Sequence, residues 1–256
     1  MVLLLLFSIL CASFGGALPA STKEDGWYIK RNAEHRQPLP PPSFSEIEKY
    51  GAYYVDKRYT AESDERVLYL TFDAGYENGN IEKILNTLKE ESVPAAFFIL
   101  DNLILRNPAL VTRMRDEGHL VCNHTLRHRD MTKITDEGEF AHELFALSEL
   151  YSERIGGTMS LYYRPPEGKY TVENIKMAQK LGFKTVFWSF AYADWDNKNQ
   201  PSKEAAMQKV LDNTHNGAVV LLHPTSETNA AILPDLIREW RALGYRFGTL
   251  DELTAP

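Results

Sequence analysis

The sequence predicts an α/β fold built on a parallel β-sheet. Short runs of β-branched, aromatic and other apolar residues alternate with stretches in which apolar residues recur at helical spacing. Seven strand-like runs and about six helical patterns follow one another, so a helix separates nearly every strand from the next. Such crossovers make neighbouring strands parallel and place the helices outside the sheet. The short strands favour a closed or nearly closed barrel over an open sheet.

The predicted strands are short and apolar, and most end near a polar or turn-forming residue. They cover residues 66–73, 94–100, 119–123, 161–163, 184–190, 218–222 and 245–247. In the first strand the side chains alternate between the two faces, so Asp73 shares a face with Tyr69 and Thr71. Leu70 and Phe72 then lie on the opposite face. Asp73 stands at the carboxyl end of this strand, where parallel α/β folds carry their active sites.

A helical pattern follows each of the first six strands. The first pattern contains Ile81, Ile84, Leu85 and Leu88, and the others cover about 107–117, 136–154, 171–181, 202–214 and 228–242. Glycines directly after three of these segments are typical of helix C-termini. These are Gly118, Gly156 and Gly182.

The N-terminal residues differ from the rest of the chain. Residues 1–20 carry no charge, and an apolar run at 2–10 is followed by small residues. This pattern is typical of a signal peptide, so we expect residues 1–20 to direct export and to be cleaved near Ala17 or Ala20. An uncleaved apolar anchor is the alternative, but the run is short for a membrane span.

Residues 21–62 predict an extended arm. Prolines at 38 and 40–42 exclude a regular helix there, and aromatic residues punctuate the segment too often for a disordered tail. We expect the arm to pack on a single domain that covers residues 63–256. Binding of a partner that recognises polyproline is the alternative.

Composition narrows the class of partner. Of the 256 residues, 44% are hydrophobic and 25% charged, as in an ordinary globular protein. The net charge of −7 argues against nucleic-acid binding and offers no polybasic membrane patch, although an acidic protein can still bind a neutral glycan. We expect a monomer with no nucleic-acid partner and no stable membrane span once the leader is removed.

The chain contains two cysteines, Cys11 and Cys122. Cys11 would leave with the leader, and the bulky Leu10 before it argues against a lipid anchor. Cys122 then has no partner for an internal disulfide, so we expect it to pack in a strand as a small hydrophobic residue. An exported protein of this kind depends on its apolar core for stability.

Charged or titratable side chains stand at or just after the ends of five predicted strands. They are Asp73, His124, Arg164, Asp194 and His223. The carboxyl ends of the strands converge on one face of a parallel barrel. Buried charges cost free energy unless they are paired, so folding alone does not explain five of them at that face. We predict that they form one functional site.

Several of these residues belong to short motifs with more than one interpretation. On one helical turn, His124 and His128 would share a face and could chelate a metal ion, although an isolated pair of this spacing is more often not a metal site. Arg164 opens a proline-stiffened loop and could hold a carboxylate with two hydrogen bonds, or be a surface arginine beside a turn. Asp194 and His223 could equally be a loop carboxylate and a core histidine.

In order along the chain, the motifs resemble those of the polysaccharide deacetylase family, carbohydrate esterase family 4, over about residues 65–253. That family reads T-F-D-D-G, H-[ST]-x-x-H, R-x-P-x-G, D-W and L-x-H. The matching segments here are Thr71–Gly75, His124–His128, Arg164–Gly168, Asp194–Trp195 and Leu221–His223. The resemblance implies a distorted parallel (β/α) barrel of about seven strands, the NodB-homology fold.

Within the family, the chain most resembles the peptidoglycan N-acetylmuramic acid deacetylases of spore-forming bacteria, which serve the pathway to the muramic δ-lactam. This rests on Gly75–Gly79, on Phe187–Ser189 leading to Asp194, and on Lys30–Asn32. It implies hydrolytic deacetylation of N-acetylmuramic acid that lacks its stem peptide, in the cell wall or spore cortex. The alternatives are a chitooligosaccharide or N-acetylglucosamine deacetylase and a glycan-binding pseudoenzyme.

The resemblance also implies catalytic roles. Asp73 would be the general base that takes a proton from the attacking water, and Arg164 would keep it ionised. His223 would be the general acid that protonates the leaving amine, and Asp194 would orient its ring. A metal ion and a backbone N–H of the loop that Arg164 opens are candidates for stabilising the oxyanion.

Binding residues follow from the same resemblance. Tyr76, Glu167 and Trp195 are expected to contact the substrate, which is a peptidoglycan glycan strand. His124 and His128 are the expected ligands of a divalent metal ion, zinc or another.

Ala74 departs from the family pattern, in which a second aspartate provides a metal ligand. Alanine has no donor atom, and catalytic zinc sites usually have three protein ligands. Three outcomes stay open: a weakly bound ion completed by water or Asp73, a third ligand from another residue, or catalysis without a tightly bound metal. We expect weak, exchangeable binding of a divalent ion.

Overall fold

An eight-stranded β-sheet organises the fold, which the computed structural model describes for residues 23–256. The predicted signal peptide at 1–20 lies outside the described residues. The β-strands are β1 (Asp25–Gly26), β2 (Ala52–Tyr53), β3 (Arg66–Ala74), β4 (Ala96–Ile99), β5 (Leu120–Asn123), β6 (Tyr162–Tyr163), β7 (Lys169–Tyr170), β8 (Lys184–Val186), β9 (Ala218–Leu222) and β10 (Tyr245–Phe247). The α-helices are α1 (Phe44–Ile47), α2 (Ile81–Glu90), α3 (Asp101–Arg106), α4 (Pro108–Asp116), α5 (Glu137–Arg154), α6 (Val172–Lys180), α7 (Lys203–Asp212), α8 (Glu227–Ala242) and α9 (Leu250–Leu253).

Paired strands in the large sheet are parallel. Their order is β10–β3–β4–β5–β6–β8–β2, and β9 also pairs with β3. Beyond the end of β8, Phe190 forms a parallel bridge to Val220 of β9. This bridge brings the β8 side of the sheet next to β9, so the sheet curls into a distorted barrel. The predicted α/β class and distorted parallel barrel are confirmed.

Seven of the eight strands in this sheet correspond to the predicted ones, and the eighth, β2, comes from the segment 21–62. It pairs with β8 through Ala52 and Tyr53. The same segment contributes β1, which pairs antiparallel with β7, and Trp27, whose ring is stacked on Phe187 with centroids 4.3 Å apart. The boundary between arm and domain at residue 62 stays a prediction.

The alternation along β3 divides the apolar core into two layers. Leu70 and Phe72 belong to the layer between the sheet and the helices, with residues of α2 and α8. Tyr69 lies inside the barrel with Cys122, a free cysteine whose pKa is raised by burial and which therefore packs as a neutral thiol. Both faces are buried, as expected for parallel strands covered by helices. Asp73 continues the inner face to the barrel mouth.

The helices cover the barrel with their apolar faces. In α2, the buried residues include Ile81, Ile84, Leu85 and Leu88, which is the spacing that the sequence predicts. The N-cap of α5 is Asp136, whose side chain accepts a hydrogen bond from the Glu139 N–H. Across residues 23–256, no helix has the length and apolar character that crossing a membrane would require.

Several further elements differ from the prediction. α3 and the short α9 were not predicted, and Pro108 separates α3 from α4 because proline has no N–H with which to continue a helix. The arm is not wholly extended, since α1 begins after the last of its prolines. The predicted strand 184–190 ends at Val186. The carbonyl oxygens of residues 186–188 accept hydrogen bonds from the side chains of Arg164 and Trp27 instead of from a neighbouring strand.

A buried histidine links stability to pH. His215 is 3% exposed, and its Nδ1 and Nε2 lie 2.8 Å from the carbonyl oxygen of Asn213 and 2.8 Å from the hydroxyl oxygen of Ser189. A neutral ring satisfies both contacts, with Nδ1 donating and Nε2 accepting. Burial lowers the pKa of His215 to about 4. The folded state therefore binds this proton less readily than the unfolded chain.

We expect the free energy of unfolding to fall as pH drops below 6.5, the ordinary value for histidine. The unfolded state takes up the proton first, so this contribution is present above pH 6.5 and declines toward pH 4. The loss amounts to about 2 kcal/mol at pH 5. Urea unfolding at pH 7.5 and pH 5 should show a shallower pH dependence in His215→Gln. The exposed His142, changed to Gln, serves as the control. Equal pH dependence in both variants would contradict this expectation.

Candidate active site

The carboxyl ends of the strands surround a cavity of about 740 Å³. Its wall includes Asp73 from the end of β3, His124 after β5 and His223 directly after β9. Arg164, directly after β6, and Asp194, between β8 and α7, are buried and contact wall residues. The structure therefore brings the five residues predicted at strand ends to one mouth.

Arg164 and Asp73 form a buried ion pair. Arg164 Nη1 donates to Asp73 Oδ1 at 2.7 Å, and the arginine side chain is 0% exposed. Burial alone would raise the pKa of Asp73, but the positive charge of Arg164, followed by the effects of His124 and His223, outweighs burial. The pKa of Asp73 therefore lies below its ordinary value, and the carboxylate is ionised at neutral pH.

Further contacts fix the Arg164 guanidinium in place. It donates to Thr71 Oγ1 at 3.0 Å, to the Val186 carbonyl oxygen at 2.9 Å and to the Phe187 carbonyl oxygen at 3.3 Å. Its central carbon lies over the Phe98 ring, 4.1 Å from the centroid, which is a favourable cation–π position. Because the guanidinium is held on several sides, the carboxylate that it binds is also oriented.

His124 lies beside the second carboxylate oxygen of Asp73. Its Nε2 is 3.6 Å from Asp73 Oδ2, and its Nδ1 is 2.8 Å from the carbonyl oxygen of Arg164. Since a carbonyl oxygen only accepts, we assign the proton to Nδ1 and a lone pair to Nε2. Burial lowers the pKa of His124 to about 4, so the ring is neutral at pH 7. Asp73 Oδ2 thus faces a neutral ring and can accept a proton.

His128 lies in the same loop, with its ring centroid 5.0 Å from that of the first histidine. The two histidines do not lie on a helical turn. Residues 124–130 form a loop in which Thr125 and His128 have left-handed φ angles of 72° and 53°. Such backbone costs free energy and persists where its surroundings hold it. Here Thr125 Oγ1 accepts from the His128 N–H at 2.9 Å, and Glu143 accepts from the Arg127 N–H at 3.2 Å.

The donors near this loop fit at most a two-ligand metal site. His124 Nε2 has a lone pair and His128 lines the same cavity, while the nearest carboxylate is already paired with Arg164. Ala74 is buried in the layer of the core between the sheet and the helices, and it offers no donor atom. Among residues 23–256, no group of three or more His, Cys, Asp or Glu side chains is arranged to hold a metal ion. A catalytic site with three protein ligands therefore does not fit.

Asp194 and His223 form the second charged pair. Asp194 accepts from His223 Nδ1 at 2.7 Å and from the His223 backbone N–H at 2.8 Å. Burial lowers the pKa of His223, but the hydrogen bond and the negative charge of Asp194 outweigh burial, and the pKa lies above its ordinary value. Since Nδ1 is engaged with Asp194, Nε2 is the nitrogen that can donate a proton in the cavity.

Asn229 and Tyr192 extend this pair, and neither was predicted from the sequence. Asn229 Nδ2 donates to Asp194 Oδ2 at 2.6 Å and to the His223 carbonyl oxygen at 3.2 Å. Asn229 Oδ1 accepts from the hydroxyl of Tyr192, which lines the cavity. These bonds fix the Asp194 carboxylate in the orientation in which it accepts from the His223 imidazole. Neither residue belongs to a motif, and Asn229 meets the pair only because α8 packs against the loop after β8.

The three residues predicted to contact substrate are placed differently. Glu167 and Trp195 line the cavity, and Trp195 is 63% exposed. Glu167 has a left-handed φ of 55° and is paired with Lys169 at 2.9 Å. Tyr76 lies in the loop after β3, outside the set of described residues that line the cavity, and its hydroxyl accepts from Asn197 Nδ2 at 2.7 Å.

Two separate charge pairs therefore present opposite chemistry to one cavity. The carboxylate of Asp73 can remove a proton from water, and the imidazolium of His223 can give a proton to a leaving group. Environments that push the pKa values of two titratable groups apart are typical of acid–base catalysis. The arrangement suits hydrolysis of a carbonyl compound.

Known proteins share this sequence pattern. The model of the family described as "Polysaccharide deacetylase" matches residues 60–186. The peptidoglycan-N-acetylmuramic acid deacetylase PdaA of Bacillus subtilis (strain 168) is 37% identical over 253 residues, which cover 96% of this chain and 94% of that protein. A peptidoglycan-N-acetylglucosamine deacetylase of Bacillus cereus is 30% identical, over 93% of this chain and 83% of that protein.

The fold gives the same result. The solved structure of Bacillus subtilis PdaA, described as a family 4 carbohydrate esterase, matches with a TM-score of 0.85 and 36% identity, over 91% of this chain and 98% of that chain. Sequence and structural matches both span nearly the whole chain, which confirms the resemblance inferred from the motifs. The chain therefore belongs to the polysaccharide deacetylase family, carbohydrate esterase family 4, and is a hydrolytic N-deacetylase.

Proposed function

We propose that the protein removes the N-acetyl group of N-acetylmuramic acid in peptidoglycan glycan strands that lack the stem peptide. The observation that carries this proposal is that Asp73 and His223, each held by its own buried partner, line the same cavity. The choice of sugar is supported by the relative named for N-acetylmuramic acid, which is 37% identical over 96% of the chain.

Asp73 is the proposed general base. Its Oδ1 is bonded to Arg164, so Oδ2 takes a proton from a water molecule as the water oxygen attacks the acetyl carbonyl carbon. The carbonyl oxygen becomes an oxyanion, and the carbon becomes tetrahedral. Arg164 keeps the carboxylate ionised until this transfer and then faces a neutral acid.

The turn 165–168 offers a backbone donor for the oxyanion. Pro165 and Pro166 have no N–H, and the Gly168 N–H is bonded to the Pro165 carbonyl oxygen at 3.0 Å. The Glu167 N–H is the donor that remains in this turn, and Glu167 lines the cavity. We place the developing negative charge at this N–H.

His223 is the proposed general acid. Its Nε2–H protonates the sugar nitrogen as the C–N bond breaks, and the products are acetate and a free amine on the sugar. Asp194 stabilises the imidazolium before the transfer and holds the ring in one orientation through Nδ1. The aromatic face of Trp195, exposed at the cavity rim, is suited to packing against a sugar ring.

Deacetylases of this family are generally metal-dependent, and His124 and His128 are the residues that would hold a divalent cation here. When bound, zinc or another divalent ion would polarise the acetyl carbonyl. The chain provides two imidazole ligands, and Ala74 provides none. We therefore propose that the ion is held weakly and exchanges readily.

The proposed place of action is the cell wall, including the spore cortex, after export of a monomeric protein. Related peptidoglycan deacetylases act on the wall outside the cell. The uncharged, apolar segment at 1–20 supports export as a signal peptide. Within this proposal, residues 63–256 form the catalytic domain and the glycan strand is the partner.

Deacetylation of N-acetylglucosamine is the second candidate. It is favoured by the relative named for that activity, which is 30% identical over 93% of the chain. A glycan-binding pseudoenzyme is disfavoured, because a binding protein needs neither an ionised carboxylate nor a charged imidazole, each held by a buried partner, in one cavity.

Incubation with glycan strands stripped of stem peptides should release acetate, measured together with the mass lost from each muramic acid. Asp73→Asn keeps the side-chain size but removes the base, so the rate should fall by about 10²–10⁴-fold. Because the change also removes the charge partner of Arg164, activity is measured well below Tm, where circular dichroism shows the variant to be folded. Faster release from chitooligosaccharide would favour the second candidate. Strand binding without acetate release, unaffected by Asp73→Asn, would indicate a glycan-binding protein.

The pH dependence of kcat should reveal the role of Asp194. It raises the pKa of His223 above the ordinary 6.5, so the charged acid persists to higher pH, and activity declines only as pH rises past this raised value. Asp194→Asn should move the alkaline limb to lower pH. The control is Asp196→Asn. The Asp196 carboxylate accepts from the Lys198 backbone N–H and not from His223, so this change should leave the alkaline limb of the pH profile in place. A limb that does not move in Asp194→Asn would refute this assignment.

Metal content should distinguish weak from tight binding. After extensive dialysis, we expect the protein to retain much less than one zinc ion per chain, because two imidazole ligands hold zinc poorly. Titration with zinc should then show weak binding that His128→Ala reduces further and that exposed His142→Ala leaves unchanged. Equimolar zinc surviving dialysis would show that another residue completes the site.

A further inference from the structure

Trp27 connects the N-terminal arm to two parts of the active-site wall. This residue precedes the segment 60–186 that matches the family model, and its side chain is buried. Its backbone N–H donates to the Gly168 carbonyl oxygen at 2.8 Å, and its Nε1 donates to the Trp188 carbonyl oxygen at 2.9 Å. Trp188 lines the cavity, and Gly168 follows Glu167, which also lines it.

The bond to Trp188 completes a row of three consecutive carbonyl oxygens, on the last residue of β8 and the two residues after it, that accept from side chains. The carbonyls of Val186 and Phe187 accept from Arg164, at 2.9 Å and 3.3 Å. The next carbonyl in the chain, that of Trp188, accepts from Trp27. The same short segment therefore holds the arginine that orients the catalytic base and is itself held by the arm.

The bond to Gly168 fixes the other side of the wall. A Cβ atom added to Gly168 would lie 2.8 Å from Cη2 of Trp188 and 2.9 Å from Cβ of Trp27, and Gly168 has a left-handed φ of 67°. Only glycine fits both the conformation and the space. The turn that carries the Glu167 N–H is thus wedged between two tryptophans.

The arm also reaches the loop that leads to Asp194. The guanidinium of Arg31 donates to the Ala191 carbonyl oxygen and lies over the Phe190 ring, 5.1 Å from the centroid. Ala191 and Tyr192 line the cavity. Through Trp27, the arm contacts the turn that carries the oxyanion donor and the segment whose carbonyls bond Arg164. Through Arg31, it contacts the loop that leads to Asp194, the partner of the general acid.

We propose that Trp27 and Arg31 are positioning residues of the active site, so that the arm is part of the catalytic machinery and not only a surface attachment. This rests on the deacetylase mechanism proposed above. Neither residue needs to touch the substrate. They fix the backbone segments on which the orientation of Arg164, the Glu167 N–H and Asp194 depends, and small displacements of such groups lower kcat steeply.

The test uses Trp27→Phe, which keeps an aromatic ring but removes the Nε1 donor. Its matched control is Trp240→Phe. Trp240 is also buried, on α8, and its Nε1 donates at 2.9 Å to Oγ1 of Thr214, and neither residue lines the active-site cavity. Both variants lose one indole hydrogen bond and should lose similar thermal stability. Acetate release from stripped glycan strands, measured well below Tm, should show kcat lowered about 10-fold in Trp27→Phe alone, with KM changed less than about twofold.

Equal kcat in the two tryptophan variants would overturn the proposal. If Trp27→Phe does not fold, Arg31→Gln decides. Its control is Arg36→Gln, because Arg36 pairs with Glu62 at 3.0 Å and with Glu34 at 3.2 Å, and neither partner lines the active-site cavity. A fall in kcat confined to Arg31→Gln supports the proposal, and equal values contradict it. The unaltered protein is assayed first. If it releases no acetate, the proposed function is refuted, and this outcome is distinct from a failure of the positioning proposal.

Discussion

A guanidinium buried at the barrel mouth must find acceptors for five N–H donors, and this requirement shapes the surroundings of Arg164. Its acceptors come from β3, from the end of β8 and from Asp73 itself. Two of them are the carbonyl oxygens of Val186 and Phe187, at the end of β8 and close to where the wall of the cavity begins. The hydrogen bonds that satisfy this one guanidinium therefore orient the catalytic base and also hold the backbone at the edge of the cavity.

The acid and the base are tuned by opposite partners. Asp73 is buried beside a permanent cation, which keeps it ionised, and His223 is buried beside a carboxylate, which keeps it charged. Burial by itself would push both groups toward their neutral forms. Each partner reverses that tendency, so a single cavity can hold a proton acceptor and a proton donor at the same pH.

Local patterns in the sequence were sufficient to predict the α/β class and the residues at the strand ends, and the family resemblance implied the distorted barrel. Apolar periodicity located seven strands and six helices, and strand ends located Asp73, Arg164 and His223. What the sequence could not reveal depends on contacts between distant segments. Asn229 acts through helix packing, and the loop at 124–130 is held by Glu143. The carbonyls at the end of β8 accept from side chains that are far away in the chain.

The arm illustrates the same limit. Its prolines correctly indicated irregular backbone, but a short helix fits after them, and β2 adds an eighth strand that no periodicity predicted because two residues carry no period. Its tryptophan could be recognised as a residue that would be buried. That it would be buried against the active-site wall follows only from the β1–β7 pairing.

The complete burial of Arg164 also has an evolutionary consequence. A lineage that drifted toward inactivity by losing Asp73 would leave a cation enclosed without its counter-ion, and removing one partner of such a pair costs about 3–5 kcal/mol. That is a large share of the stability of an ordinary domain. Selection for folding alone would therefore preserve the aspartate, whereas Ala74, which offers no ligand, packs in the core and puts no such constraint on the metal site.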